Sequence, residues 1–268
     1  MAVIENGGIC CWKDKIHLKG GSLISERNQH EIEHGRMLAS KGAESIWGWE
    51  SPAGKVRAQR RARLILSRLP SGYKRSYLEI GCGTGDFTRL FSQSGASITA
   101  VDISEDLTAI ARKNLSANPD VDVITSSFED LPKDVKFDAV IGSSVLHHLD
   151  IQPALTQIFQ LLKPNGVLSF AEPNMLNPQI MIQKNIPWIK KKMGDSPDET
   201  AFFSWQMSRY LQTAGFSDIQ VTPFDWLHPL IPPLLITTIS SIGSVFEKIP
   251  VVKEFAGSLL ISARKGSD

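Results

Sequence analysis

Cysteine is scarce: three in 268 residues. Cys10 and Cys11 are neighbours that cannot easily bridge each other, Cys82 stands alone, and no C-x-x-C spacing occurs, so neither a disulfide framework nor a metal site is expected. Sparse, odd cysteines suit a reducing cytoplasm. The opening stretch MAVIENGGICCWKDKIHLKGG has no apolar run of signal-peptide length and meets a charge at Glu5, which argues against secretion. Internal repeats and low-complexity tracts are missing as well.

Charge is missing in two places. Between Glu50 and Glu79 there is no acid, while Lys55 to Arg75 carries eight Lys/Arg. Residues 1–75 hold fourteen basic against seven acidic side chains, and the remainder fifteen against twenty-one, so a formal net charge of +1 hides a polarised chain. The basic run reads either as a solvated helix face or as a surface for phosphate, acidic lipid or a substrate carboxylate. From Trp226 to Phe246, 21 residues contain no Asp, Glu, Lys or Arg. That length could span a bilayer, which takes about 20 apolar residues. Pro229, Pro232, Pro233 and Gly243 interrupt it, however, and Ser and Thr crowd its middle. It reads instead as a lid over an apolar substrate, a patch for peripheral membrane contact, or a dimer interface.

What is present is an α/β pattern. Residues 1–21 read as an irregular lead-in and 22–75 as a helical N-terminal cap, with helices over 23–41 and from Ser51-Pro52 to about Leu69. From residue 76 to 268, short apolar runs at 77–80, 97–103, 121–124, 137–142 and 167–172 alternate with stretches of helix length. That is the rhythm of a parallel sheet with crossover helices. Lys163-Pro164-Asn165-Gly166 predicts a turn before the fifth run. Further strands are expected near 218–222 and 258–265, giving a doubly wound, mostly parallel, seven-stranded Rossmann-like sheet. Two long segments, about 173–200 and 225–256, interrupt it after the fifth and sixth strands as insertions suited to a substrate lid.

The most specific signal is YLEIGCGTGDFTRLF, residues 77–91: strand, glycine turn, helix, with an acid at the end of the next strand. Dinucleotide turns space their glycines G-x-G-x-x-G. Here Gly81, Gly83 and Gly85 alternate, and Asp86 stands where the third small residue would fall. A carboxylate at that helix mouth repels a pyrophosphate, which argues against NAD.

LEIGCGTG resembles the first motif of the class I S-adenosylmethionine-dependent methyltransferases, in their small-molecule, menaquinone-type group, and the resemblance runs from about Tyr77 to the end of the chain. It implies S-adenosylmethionine as cofactor and S-adenosylhomocysteine as product. By the resemblance, Glu79, Gly81, Cys82, Gly83, Thr84 and Gly85 surround the methionine part. Cys82 reads as packing or, alternatively, as a nucleophile. Asp102 matches the ribose-binding acid, with Ile103 against the adenine. In TSSFEDLP, Ser127 and the Phe128 backbone N–H match the adenine-edge contacts, although relatives often have Asp where Ser127 stands. FDAVIGSSVLHHL resembles the fourth motif, with Gly142, Ser143 and Ser144 passing the sulfonium. A helix ahead of the sheet often closes the pocket in such enzymes, which makes Arg57 and Arg61 candidates for the methionine carboxylate.

Transfer of a sulfonium methyl gains mainly from alignment, and a base matters only if the acceptor must lose a proton. His147, His148 and Glu172 are the candidates. The two histidines equally suit a buried turn with their rings bonded to backbone, and Glu172 equally suits pairing with a lysine such as Lys184. The expected partner is a small-molecule acceptor, apolar or lipid-like. Two alternatives remain: an RNA methyltransferase using the basic run, and a non-catalytic regulator that binds the cofactor. The net-acidic second half and the lack of an N-P-P-Y-like motif argue against nucleic acid.

Overall fold

The computed structural model describes residues 25–70 and 74–267. The lead-in, including Cys10 and Cys11, lies outside the described residues. Among the described residues, three helices precede the sheet: α1 (Glu26–Lys41), α2 (Ala43–Trp47) and α3 (Pro52–Leu66). The Ser25 and Ser51 hydroxyls accept the Asn28 and Gly54 amides, and Pro52 occupies the first turn, where its missing N–H costs nothing.

The alternating part follows as β1 (Ser76–Ile80), α4 (Asp86–Phe91), β2 (Ser97–Asp102), α5 (Glu105–Asn114), β3 (Val121–Thr125), β4 (Phe137–Ser143), α6 (Ile151–Leu161) and β5 (Leu162–Pro173). The first insertion contributes α7 (Pro178–Asn185) and α8 (Pro187–Met193), after which come α9 (Ser204–Thr213) and β6 (Ser217–Phe224). The second insertion carries α10 (Ile236–Phe246), and β7 (Ser258–Arg264) closes the chain. Strand order is β3-β2-β1-β4-β5-β7-β6, with β7 antiparallel to both neighbours, so the seven-stranded, mostly parallel sheet is as expected. The fifth strand starts earlier than its apolar run. Leu162 pairs with Phe137 and Val167 with Ala139, and the four residues between loop out through Asn165 at φ 61°, which is the expected turn.

Both faces of the sheet are covered, which is why its strands read as near-continuous apolar runs. Successive residues alternate between two cores. Leu78, Val140 and Leu168 face Leu155, Ile158, Met207 and Leu211, whereas Tyr77, Ala139 and Ile141 face Ala58, Ala62, Ile65 and Phe91. Each such buried aliphatic side chain contributes roughly 1.5–3 kcal/mol. Strand order reverses between β1 and β4, so a crevice opens beyond the carboxyl ends of these strands. There α1, α2 and both insertions gather.

Candidate functional site

A cavity of about 650 Å³ fills that crevice. Its floor is the turn after β1, where Gly81, Gly83 and Gly85 have φ of 68°, 53° and 87°. Side chains would be strained there and would collide: a Cβ on Gly81 would lie 2.4 Å from Val145, and one on Gly83 2.9 Å from the Trp47 ring. Cys82 is buried and free, and burial pushes its thiol well up, so it packs as a neutral side chain. Thr84 is buried beside it, with its backbone carbonyl accepting from Asn114.

Asp102 ends β2 at the cavity wall, with Ile103 following. Its two oxygens accept the Gly83 and Ser104 amides, each at 2.9 Å. One carboxylate thus fixes both the glycine turn and the start of α5. Burial raises its pKa, against the pull of those two amides. On the next strand, Ser127 takes a hydrogen bond from Asn28 Nδ2 at 3.2 Å and donates to Glu129, and Phe128 is buried on the cavity wall. Gly142 is needed as glycine, because a Cβ there would meet Phe170 at 2.6 Å and the Ile80 carbonyl at 2.8 Å.

The basic run of α3 turns inward. Arg57 Nε donates to Asp225 at 2.9 Å, Arg60 holds Glu247 with both terminal nitrogens, and Arg75 pairs with Asp138. Arg61 is buried, donating to Ser144 at 2.7 Å, to Ser143 at 3.2 Å and to Ser258, while its Nε has no partner. Burial lowers its pKa to about 10, still far above neutrality. The guanidinium groups of Arg57 and Arg61 lie 5.3 and 5.6 Å from the Trp49 ring centre, and Trp49 meets Phe87 edge-on.

Opposite the arginines runs a chain of buried charge. Glu172 Oε1 accepts the Val145 and Leu146 amides at 3.0 Å each, and its Oε2 takes His147 Nδ1 at 2.6 Å. His147 Nε2 faces Glu199 at 3.3 Å, and Glu199 binds Lys184, which also holds Asp195 at 2.9 Å. Burial alone would depress His147, but the two carboxylates outweigh it and raise the pKa to about 9. Glu172 and Glu199 are correspondingly held low, against the effect of burial. Lys184 therefore serves Glu199 and Asp195, and the partner of Glu172 is His147. His148 stands apart at the cavity wall, its Nδ1 3.0 Å from Glu31 Oε2 but without a hydrogen-bonding angle. His34 lies beside it, ring centres 6.4 Å apart.

Glu31 and His34 of α1 and Glu199 of the first insertion are cavity residues that the motif reading missed. The signal for the first two was EIEH, residues 31–34, whose i and i+3 positions share one helix face. The same cluster of His147, His148 and Glu199 has ligand atoms within 4.8 Å of one another. With Lys184 on Glu199 and a proton on His147, it reads as an ion-pair chain rather than a metal centre.

Residues 78–170 match the family model described as a methyltransferase domain. A malonyl-[acyl-carrier protein] O-methyltransferase of Halalkalibacterium halodurans is 39% identical over 105 residues, 36% of this chain and 38% of that protein. A ubiquinone biosynthesis O-methyltransferase of Xanthomonas axonopodis is 31% identical over 157 residues, 56% of this chain and 63% of that one. Among solved structures, the N-methyltransferase NodS from Bradyrhizobium japonicum, in complex with S-adenosyl-L-homocysteine, superposes with TM-score 0.60 at 15% identity over 88% of this chain and 98% of its own. Residues 78–170 thus carry a methyltransferase domain, within an α/β fold shared with that solved structure. The chain spans 38% and 63% of the lengths of these two curated relatives.

The residues fit the family's cofactor. Ahead of the glycine turn, Glu79 is buried with Oε2 unbonded and, through burial, a pKa pushed up to about 8. Arg61, which lines the cavity, has its buried Nε unbonded, a donor that a ligand carboxylate would satisfy, whereas Glu79 is not among the residues lining the cavity. When bound, S-adenosylmethionine supplies an electrophilic methyl on sulfur. Ser143 and Ser144 line the same cavity, the latter at φ 59° and tied to Arg61.

Proposed function

We propose that the chain methylates a small-molecule acceptor that is largely apolar or lipid-like, binding it between the glycine turn and the two insertions. The cavity itself carries this reading. From the two insertions, Ile180, Met193, Trp226, Leu227 and Leu230 supply an apolar wall, with Asn177, Gln179, Gln183 and His228 as polar groups beside it. Within it, His148 is the base. Its ring lines the cavity, with Nδ1 3.0 Å from Glu31 Oε2. His147, already protonated between Glu172 and Glu199, is a positioning residue that fixes the turn carrying its neighbour. Cofactor residues remain as the sequence reading assigned them, with Arg61 rather than Arg57 free to meet a carboxylate, since Arg57 is committed to Asp225.

The RNA alternative loses half of its basic run, because Arg57, Arg60, Arg61 and Arg75 are engaged within the fold. The test is release of S-adenosylhomocysteine against a panel of lipid, phenolic and carboxylic acceptors, with tRNA as the competing arm. On the acceptor found, His148→Ala is expected to lower kcat about 10²–10⁴-fold with cofactor affinity unchanged. Turnover on tRNA alone, or an unaffected His148→Ala, would refute the assignment.

A further inference from the structure

Fifteen large hydrophobic side chains are exposed among the described residues, and twelve of them fall within 173–200 and 225–256. Those two insertions make up less than a quarter of the chain. Scattered exposed hydrophobics need no explanation, but this degree of concentration does. The most prominent are Leu234 at 92%, Leu230 at 83%, Val251 at 71% and Trp188 at 67% exposure. The two insertions are joined: Gln179 Nε2 lies 3.1 Å from His228 Nε2, and Asn177 donates to the Phe255 carbonyl at 2.9 Å. Of their exposed apolar side chains, Met193 and Leu230 reach the cavity itself.

Of the residues in α10 only Gly243 is buried, set against Trp226, whose ring meets Phe246 edge-on. Thr237, Thr238, Ser241, Ile242, Ser244 and Val245 are exposed. Ser241 and Ser244 turn their hydroxyls back onto the Thr237 and Ser240 carbonyls at 2.9 Å, which reduces their need for water. Lys191 and Lys192 on α8, and Lys248 just after α10, are exposed and paired with no carboxylate among the described residues. The nearby acids are occupied: Glu247 by Arg60, Asp195 and Glu199 by Lys184.

We propose that the two insertions form a docking face for an anionic bilayer, with α10 and the 230–235 turn lying in the interface and Lys191, Lys192 and Lys248 on the lipid headgroups. Exposed apolar side chains and unpaired cations on the same two insertions suit such a surface, and no described helix is long and apolar enough to cross it. Docking this way presents the cavity mouth to the layer in which an apolar acceptor dissolves, whereas a second protein on the same face would cover the mouth. In that purpose the inference rests on the apolar-acceptor reading, but its measurement does not.

The test is co-sedimentation of the full chain with phosphatidylcholine vesicles, with and without phosphatidylglycerol, at low and high salt. Binding is expected with phosphatidylglycerol and should weaken with salt. The pair Lys191→Ala and Lys192→Ala should lower the partition coefficient roughly 25-fold, and Leu234→Ser with Leu235→Ser at least about tenfold. Calorimetric binding of S-adenosylhomocysteine, unchanged in both pairs, shows that they are folded. No vesicle binding at low salt, binding that survives both pairs, or a dimer in sedimentation that the leucine pair abolishes would each overturn the proposal. Failure to methylate a given acceptor leaves vesicle binding unaffected, so the two readings fail separately.

Discussion

At the scale of single residues, the feature that decides most is the burial of ions in a chain of alternating sign. Glu172, His147, Glu199 and Lys184 are each nearly inaccessible, and every one touches an opposite charge. Removing one member strands its neighbour, which is why such networks respond to pH as units. His147 has its ordinary pKa of 6.5 in the unfolded chain and about 9 in the fold. Its stabilisation is complete below pH 6.5 and is lost as the pH rises through 9. The carboxylates act in the opposite sense, stabilising above the ordinary carboxylate range and failing as the pH falls through their lowered values. Urea unfolding should therefore show a loss on the order of 3 kcal/mol as the pH rises from near neutral to about 9.5. A His147→Gln variant, less stable at neutral pH, should stay flat over that window. A wild-type profile equally flat would mean that the histidine is neutral in the fold.

At the scale of elements, the arginines of α3 work as staples. Arg60 grips Glu247 at the end of α10 through two parallel bonds, and Arg57 grips Asp225 just after β6, so one helix anchors the start of the second insertion and the end of its helix. A double-mutant cycle on Arg60→Ala and Glu247→Ala should give a coupling of about 1–2 kcal/mol in thermal unfolding, and additivity of the two losses would deny the staple. The strands were legible because a sheet buried on both sides leaves apolar runs, and the glycine turn because positive φ leaves few other residues to choose from. The staples were not. A run of basic residues looks the same whether its partners are solvent, phosphate or acids some 170 positions later, since nothing local marks the pairing. The same limit hid the partner of Glu172: Lys184 was near in sequence, but the fold gives that lysine to Glu199 and hands Glu172 the adjacent turn.

For the whole molecule, the telling contrast is between the sheet and what covers its crevice. The two large cores hold the strands, whereas α1 and α2 rest on a small separate cluster of Leu38, Ala43 and Leu107. Within α1 only Gly35 and Leu38 are buried, Gly35 because any Cβ would come within 2.5 Å of Ser104. Yet these two helices lie over the cofactor half of the cavity, through Asn28 on Ser127 and Trp47 on Gly83. A cover held by few apolar contacts opens at much lower free energy than the core does. Entry to the glycine turn therefore runs through release of residues 26–47 while the sheet stays shut. Amide exchange followed by mass spectrometry should show fast exchange over 26–47 in the free protein and strong slowing there, and at 81–86, when S-adenosylhomocysteine is added. Peptides from β4, β5 and β7 should be slow in both states. If 26–47 already exchanged as slowly as those strands without ligand, the cover would be part of the rigid body, and the ligand would have to enter between the insertions instead.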